Sequence, residues 1–124
     1  MQINISSSEQ EAGRRAAQKG AEAISAAINA RGEASIILAT GASQFAVLSS
    51  LVDTPGIDWS CTTIFHLDEY IGIEPTHSAS FIRYLKERFL SRVSAVKDFV
   101  AINGNAANID LEIQRVSGIL SKFD

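Results

Sequence analysis

Two stretches of this chain hold residues able to work on a small anionic molecule. The first is Thr40-Gly41-Ala42-Ser43, a polar break between an apolar run and a stretch of helical periodicity. Gly41 permits close backbone approach to a ligand. A helix that starts just after such a turn aims free amides, and the positive end of its dipole, at an anion. Thr40 and Ser43 add hydroxyl donors. The turn lacks the glycine count and lysine of a P-loop and the glycine pattern of a dinucleotide fingerprint, so an ordinary tight turn with a helix cap is the competing reading. The second stretch is Phe65-His66-Leu67-Asp68-Glu69-Tyr70, where two acids close an apolar run. A carboxylate at the mouth of a sheet is partly desolvated, which raises its pKa and makes it a better base. The alternative is that Asp68 or Glu69 caps a turn in contact with water. His66, inside the run, reads as a satisfied core residue rather than a base. His77 is placed either to touch a ligand or to cap the next helix. No His/Cys/Asp cluster has metal-ligand spacing, so no metal is inferred, and no Ser-His-Asp or Cys-His arrangement is evident.

The elements that must position these residues follow from periodicity. Residues 2–5 alternate weakly, as a short edge strand would. Ser8 and Glu11 have capping-box spacing, and an alanine-rich helix to about Ala30 follows, with Ala17, Ala21, Ile24 and Ile28 on one face and Gly32 placed to end it. Ser35–Ala39 reads as a buried strand. Gln44–Val52 returns to helical period with Ala46, Val47 and Leu51 inward. Thr62–Leu67 is a second strand and 71–79 a loop. Ser80–Val93 is a helix with the stripe Ile82, Leu85, Phe89; its Arg83, Lys86, Glu87 and Arg88 form a solvated face rather than a direct phosphate site. Phe99–Ile102 is a third strand, Asn103-Gly104-Asn105 a turn, and a last helix begins near Asn108 or Asp110. Alternating strands and helices predict an α/β fold, a Rossmann-like three-layer sandwich with a mostly parallel sheet. Ligands in such sheets bind beyond the carboxyl ends of the strands, where both candidate stretches fall. The chain stops just after a helix, where a doubly wound sheet would continue. A sheet of three or four strands would keep a bare edge, so the expectation is an apparently truncated part of a larger fold.

Composition narrows the classes. The 124 residues are 46% hydrophobic and 20% charged, with a formal net charge of -3. That is an ordinary globular mixture of one-domain size, and the acidic balance argues against a nucleic-acid partner. A lone cysteine, Cys61, cannot form an internal disulfide and reads as a small buried hydrophobe. No apolar stretch reaches the roughly 18 residues of a membrane span and no signal-peptide pattern opens the chain, so the expected location is cytoplasmic.

Four segments, in order, resemble one family. Phe65-His66-Leu67-Asp68-Glu69-Tyr70-Ile71-Gly72 is similar to the Asp-Glu-Tyr segment of glucosamine-6-phosphate deaminases. His77-Ser78-Ala79-Ser80-Phe81 resembles their His-Pro-x-Ser-Tyr/Phe stretch, Leu38-Ala39-Thr40-Gly41-Ala42-Ser43 their Thr-Gly-Gly-Thr/Ser phosphate loop, and Ile102-Asn103-Gly104-Asn105-Ala106 their Asn-Gly-Asn turn. The resemblance implies that residues 1–124 are the amino-terminal part of a sugar-phosphate isomerase/deaminase domain. The implied reaction converts glucosamine 6-phosphate and water to fructose 6-phosphate and ammonia, with no redox or metal cofactor. It implies Asp68 as the proton-abstracting carboxylate, Thr40, Gly41, Ala42 and Ser43 as the phosphate and sugar loop, and Glu69 as a supporting acid. His77 falls in a matching segment and joins the expected substrate-binding set. The implied partner is a small sugar phosphate, and because family members often associate, a homo-oligomer is among the expectations.

The sequence departs from the family pattern in two ways. Ala42 stands where many members have glycine. The chain also ends before the Gly-Gly-x-Gly-x-Asp-Gly-His segment, which carries the ring-opening histidine, so 124 residues alone are expected to show negligible deaminase activity. The nearest alternative is a 6-phosphogluconolactonase, whose matching segment tends to read Asp-Glu-Arg; Tyr70 favours the amino-sugar side. A non-catalytic sugar-phosphate sensor is the alternative from another class, and the presence of Asp68 favours an enzyme.

Overall fold

The computed structural model describes residues 3–123. Three strands, β1 (Ala34–Leu38), β2 (Thr62–His66) and β3 (Asp98–Val100), form one sheet in the order β1-β2-β3 with both pairings parallel. The helices are α1 (Glu9–Arg31), α2 (Phe45–Val52), α3 (Phe81–Leu85) and α4 (Ile109–Leu120). Alternation along β1 and β2 sends Ala34, Ile36, Leu38 and Ile64 to one face of the sheet. There they join Ala17, Ala21 and Ile24 of α1, Leu48 and Leu51 of α2, and Leu85 and Phe89. Trp59 meets the Phe89 ring edge-on, 5.2 Å between centroids. Phe65 faces the other way and packs edge-on against Phe123, just after α4. Helices therefore stand on both sides of a parallel sheet, as the alternating pattern predicted.

Local signals explain the helix ends. Ser8 accepts from the Glu11 amide at 3.1 Å, the first half of a capping box. The return arm is displaced by one residue: the Glu11 carboxylate accepts from Ser7, through both its amide and its hydroxyl, rather than from Ser8. At the other end Gly32 has φ 81°, a left-handed conformation that only glycine adopts freely, and its N–H closes on the Ile28 carbonyl. Asn108 caps α4 by accepting from the Leu111 amide.

Several expectations are corrected. Residues 3–5 form no strand; Ile3 and Ile5 are exposed and no neighbouring strand pairs with them, while Gln2 lies outside the described residues. The third helix does not run unbroken to Val93. It widens into a π-helical turn over Lys86–Leu90 and ends there, with the Ser91 amide reaching back five residues to the Lys86 carbonyl. In α2 the most buried residues are Leu48 and Leu51. Val47 lies against the core's margin, and Ala46 meets Gly13 of α1. Cys61 is half-buried rather than buried, because it ends a short 3-10 turn with its Sγ 3.6 Å from Asp58 Oδ2.

The α1–α2 contact rests on the missing side chain of Gly13. A Cβ built there would stand 2.5 Å from the Ala46 Cβ and 2.7 Å from its carbonyl carbon. Gly20, on the same helix, has open space around it. Gly13→Ala should therefore destabilise the fold by about 1–3 kcal/mol through overpacking, although alanine is the better helix former. Gly20→Ala should gain up to about 1 kcal/mol from propensity. Urea unfolding of the two variants checks the pair; equal shifts would refute the close approach.

Candidate active site

Parallel pairing of β1 and β2 sets the site. Leu38 is in register with His66, and the Leu67 amide donates to the Leu38 carbonyl at 3.0 Å, extending the ladder by one bond. Thr40 and Asp68 each stand two residues past that register pair. Both leave the same carboxyl-end rim of neighbouring strands, which are spaced about 4.8 Å apart. Thr40 is buried, whereas Gly41, Ala42 and Ser43 are exposed. They lead through the 3-10 turn Ala42–Gln44 into α2. This arrangement suits an anion-binding turn, with exposed donors on the loop and a helix start directly behind it.

Asp68 is exposed and its carboxylate makes no hydrogen bond among the described residues. The expected partial desolvation at the sheet mouth is not met within residues 3–123. The other acid of the pair behaves differently. Glu69 is half-buried, and its carboxylate accepts from Ser80 Oγ at 2.7 Å, the Ile82 amide at 3.1 Å, the Phe81 amide at 3.2 Å and the Tyr70 amide at 2.9 Å. Burial opposes the charge, but the donations from Ser80, Tyr70, Ile82 and Phe81 outweigh it and hold the carboxyl below its ordinary range. Glu69 thus closes the N-terminus of α3 onto the end of β2. Ser80 itself caps that helix, accepting from Arg83. The two adjacent acids divide their tasks: one anchors, and the other is left free at the rim.

The His66 side chain is buried, and its Nε2 accepts from the Ile102 amide at 2.7 Å. Burial pushes its pKa down, against the opposing pull of Glu69 and Asp68, so the ring is neutral and the accepting nitrogen unprotonated near pH 7. The proton is assigned to Nδ1 by elimination, and Nδ1 is buried with no hydrogen-bond partner. His66 is therefore a core residue, as expected, but only half satisfied. His77 is exposed; its Nδ1 accepts from the Ala79 amide at 3.1 Å and its carbonyl from the Ser80 amide. It shapes the turn before α3, and no hydrogen bond joins it to Asp68 or to Thr40–Ser43. Arg83 is taken up by Glu87 and by the Thr76 carbonyl, in keeping with a solvated face.

Sequence reasoning missed the support on the far side. A Cβ on Gly104 would overlap the Tyr70 carbonyl oxygen, and the Gly72 amide donates to the Gly104 carbonyl at 2.8 Å. The Asn103-Gly104-Asn105 turn therefore lies flat against the segment that follows Asp68. That turn is held in its own place by α4. Glu112 accepts from the Asn103 amide at 2.7 Å, while Arg115 bonds both Glu112 oxygens and the Ala101 carbonyl. The i,i+3 spacing of an acid and a base at the start of a helix was the available signal.

Glu112 gives the site's support an acid sensitivity. Arg115's hydrogen bonds lower its pKa most; burial opposes and the Asn103 amide adds to the lowering, so the carboxyl falls from 4.5 to about 2. A folded-state pKa below the unfolded value means stability present above pH 4.5 and lost as pH falls towards 2. Glu112→Gln should be less stable than the parent at pH 7 and should show a flatter decline between pH 4.5 and 2. Urea midpoints measured across that range test this.

The family model for glucosamine-6-phosphate isomerases/6-phosphogluconolactonase matches residues 7–124. A glucosamine-6-phosphate deaminase of Arthrobacter sp. is 35% identical over 98 residues, covering 76% of this chain and 38% of that protein. Glucosamine-6-phosphate deaminase 1 of Giardia intestinalis is 34% identical over 82 residues, 63% of this chain and 31% of its own length. Among solved structures, a monomeric glucosamine-6-phosphate deaminase superposes with TM-score 0.87 at 23% identity, over 98% of this chain and 51% of that one. A 6-phosphogluconolactonase of Shewanella baltica superposes with TM-score 0.78 at 24% identity, over 94% and 49%. At such identities the structures speak for the fold alone. The chain spans less than half the length of these curated relatives and about half of these structures. With nearly all of its length matched, the chain belongs to the glucosamine-6-phosphate isomerase/6-phosphogluconolactonase family.

Proposed function

We propose that residues 1–124 are the amino-terminal part of a sugar-phosphate isomerase/deaminase domain acting on glucosamine 6-phosphate, with Asp68 as its base. The observation that carries this reading is the register Leu38–His66, because it gives the Thr40–Ser43 turn and Asp68 one rim. A phosphate seated on the turn would leave the carbon end of an extended sugar to approach the neighbouring strand's end. There a free carboxylate is what proton abstraction needs. In the open-chain sugar, Asp68 takes the proton from carbon 2. The freed electron pair makes a carbon 1–carbon 2 double bond as the carbon 1 oxygen gains a proton. Protonation at carbon 1 then leaves an imine at carbon 2, and water replaces nitrogen there, giving the ketone and ammonia. Glu69 serves this scheme as the anchor that fixes the strand end, and Thr40 and Ser43 as donors to phosphate. His77 is given no role in the proton transfer. Tyr70, where the lactonase pattern tends to carry arginine, favours the amino sugar over a phosphogluconolactone.

The test uses the protein expressed from its whole reading frame. Asp68→Asn should reduce ammonia release from glucosamine 6-phosphate by about 10²–10⁴-fold, the usual contribution of a general base. It should also abolish exchange of solvent deuterium into carbon 2 of the sugar. Unchanged exchange in the variant would remove Asp68 as the base. Hydrolysis of 6-phosphogluconolactone without any ammonia release would move the assignment to the lactonase side.

A further inference from the structure

A cavity lies away from the rim just described. It has a volume of about 440 Å³ and is lined by Glu9 and Gln10 of α1, Phe45, Ala46, Leu48 and Ser49 of α2, and Tyr84, Arg88 and Arg92 from the α3 segment. None of Thr40–Ser43, Asp68 or Glu69 belongs to it. The volume falls within the roughly 300–1,000 Å³ typical of small-molecule sites.

Its chemistry is that of an anion receptor with an aromatic wall. Phe45 and Tyr84 are stacked, with centroids 5.7 Å apart and planes 20° apart. The Arg88 guanidinium lies across the pair, 4.6 Å from the Phe45 centroid and 5.5 Å from that of Tyr84. Held in this way by cation–π attraction, the planar fork is pre-organised. Yet Arg88 makes no ion pair or hydrogen bond among the described residues. Arg92, by contrast, is engaged by Asp53 at 2.9 Å. The Tyr84 hydroxyl is buried without a partner, and desolvation raises its pKa, so the wall it forms with Phe45 stays uncharged. A buried hydroxyl left unmatched is costly. The cavity also receives the first two residues of the 23-residue α1, whose amides have no intrahelical acceptor and whose dipole favours negative charge. Glu9 is the one acid in the lining, and it pairs with neither arginine.

We propose that this cavity binds a small molecule bearing a phosphoryl or carboxylate group, with Arg88 as the anion's bidentate partner and the apolar body of the ligand against Phe45, Leu48 and the Tyr84 ring. This site is independent of the role assigned to Asp68. Phenyl phosphate is a suitable probe, titrated into the ¹⁵N-labelled protein expressed from its whole reading frame, with benzoate as the carboxylate arm. The expected result is that amides of Glu9, Gln10, Tyr84 and Arg88 shift with one common midpoint. Arg88→Gln should weaken that midpoint about tenfold or more, the worth of a charge-assisted hydrogen bond. Tyr84→Phe, which keeps the ring, should leave it unchanged, and Glu9→Gln should tighten it. Arg88 is exposed, so its replacement leaves the fold intact, and Tyr84→Phe provides a second variant. Shifts confined to residues 40–44, no shifts by about 20 mM probe, or a midpoint indifferent to Arg88→Gln would each overturn the assignment.

Discussion

The junction between β2 and α3 depends on the charge of Glu69. Four donors from Tyr70, Ser80, Phe81 and Ile82 converge on this one carboxylate. Hydrogen bonds to a charged group are worth about 1.5–3 kcal/mol each, enough together to outweigh partial desolvation. The geometric effect matters more than the energy. The helix start is tied to a residue one position from Asp68, across a loop of about ten residues that would otherwise let the two drift. Because the tie uses the carboxylate as an acceptor only, it requires Glu69 to stay ionised, which its lowered pKa secures.

A single tie would leave the segment free to pivot, and the fold adds two more. Beneath it, neutral His66 receives the Ile102 amide and so binds the end of β2 to the strand-to-turn passage after β3. Beside it, Gly104 offers a flat backbone surface to Tyr70, and Asn105 reaches across to Glu74. The Glu112–Arg115 pair keeps that surface from moving, because it bonds the carbonyl before the turn and the amide that opens it. Asp68 is thus an exposed group on a backbone fixed from three directions. For the proposed proton abstraction, such pre-organisation would hold the base where the proton is rather than leave it to find it.

The legibility of the sequence follows the range of the forces involved. β1, β2 and β3 were readable to within one or two residues because each is a short apolar run between breakers. The caps Ser8 and Gly32, and the start of the last helix near Asn108, were readable because a cap is decided by three or four neighbouring residues. Residues 3–5 misled because alternation reports what a strand face would need, not whether a partner strand exists. The π-turn at Lys86–Leu90 has no local breaker to announce it. Leu85 and Phe89, four residues apart and already on one face of a regular helix, stay completely buried across the turn. The rim position of Thr40 and Asp68 was legible through the rule that ligands meet the carboxyl ends of parallel strands. Glu69's partners at Ser80, Phe81 and Ile82, eleven to thirteen residues away, and Gly104's contact with Tyr70 were not, because no spacing rule reaches that far.

The exposure of Asp68 bears directly on how such a rim performs chemistry. A carboxylate open to water is stabilised by it, and a proton on carbon is a poor match for a well-hydrated base. Removing water strengthens both the base and every hydrogen bond to the sugar. Residues 3–123 supply position, through the β1–β2 register and the three ties, but they supply no cover over Asp68. For the proposed reaction, cover over the rim would come from a further stretch of chain, another subunit or the substrate itself. This division explains why support and reactivity separate so cleanly between neighbours. Glu69 is consumed by structure, taking four donors, and Asp68 is left exposed with no hydrogen bond to its carboxylate among the described residues.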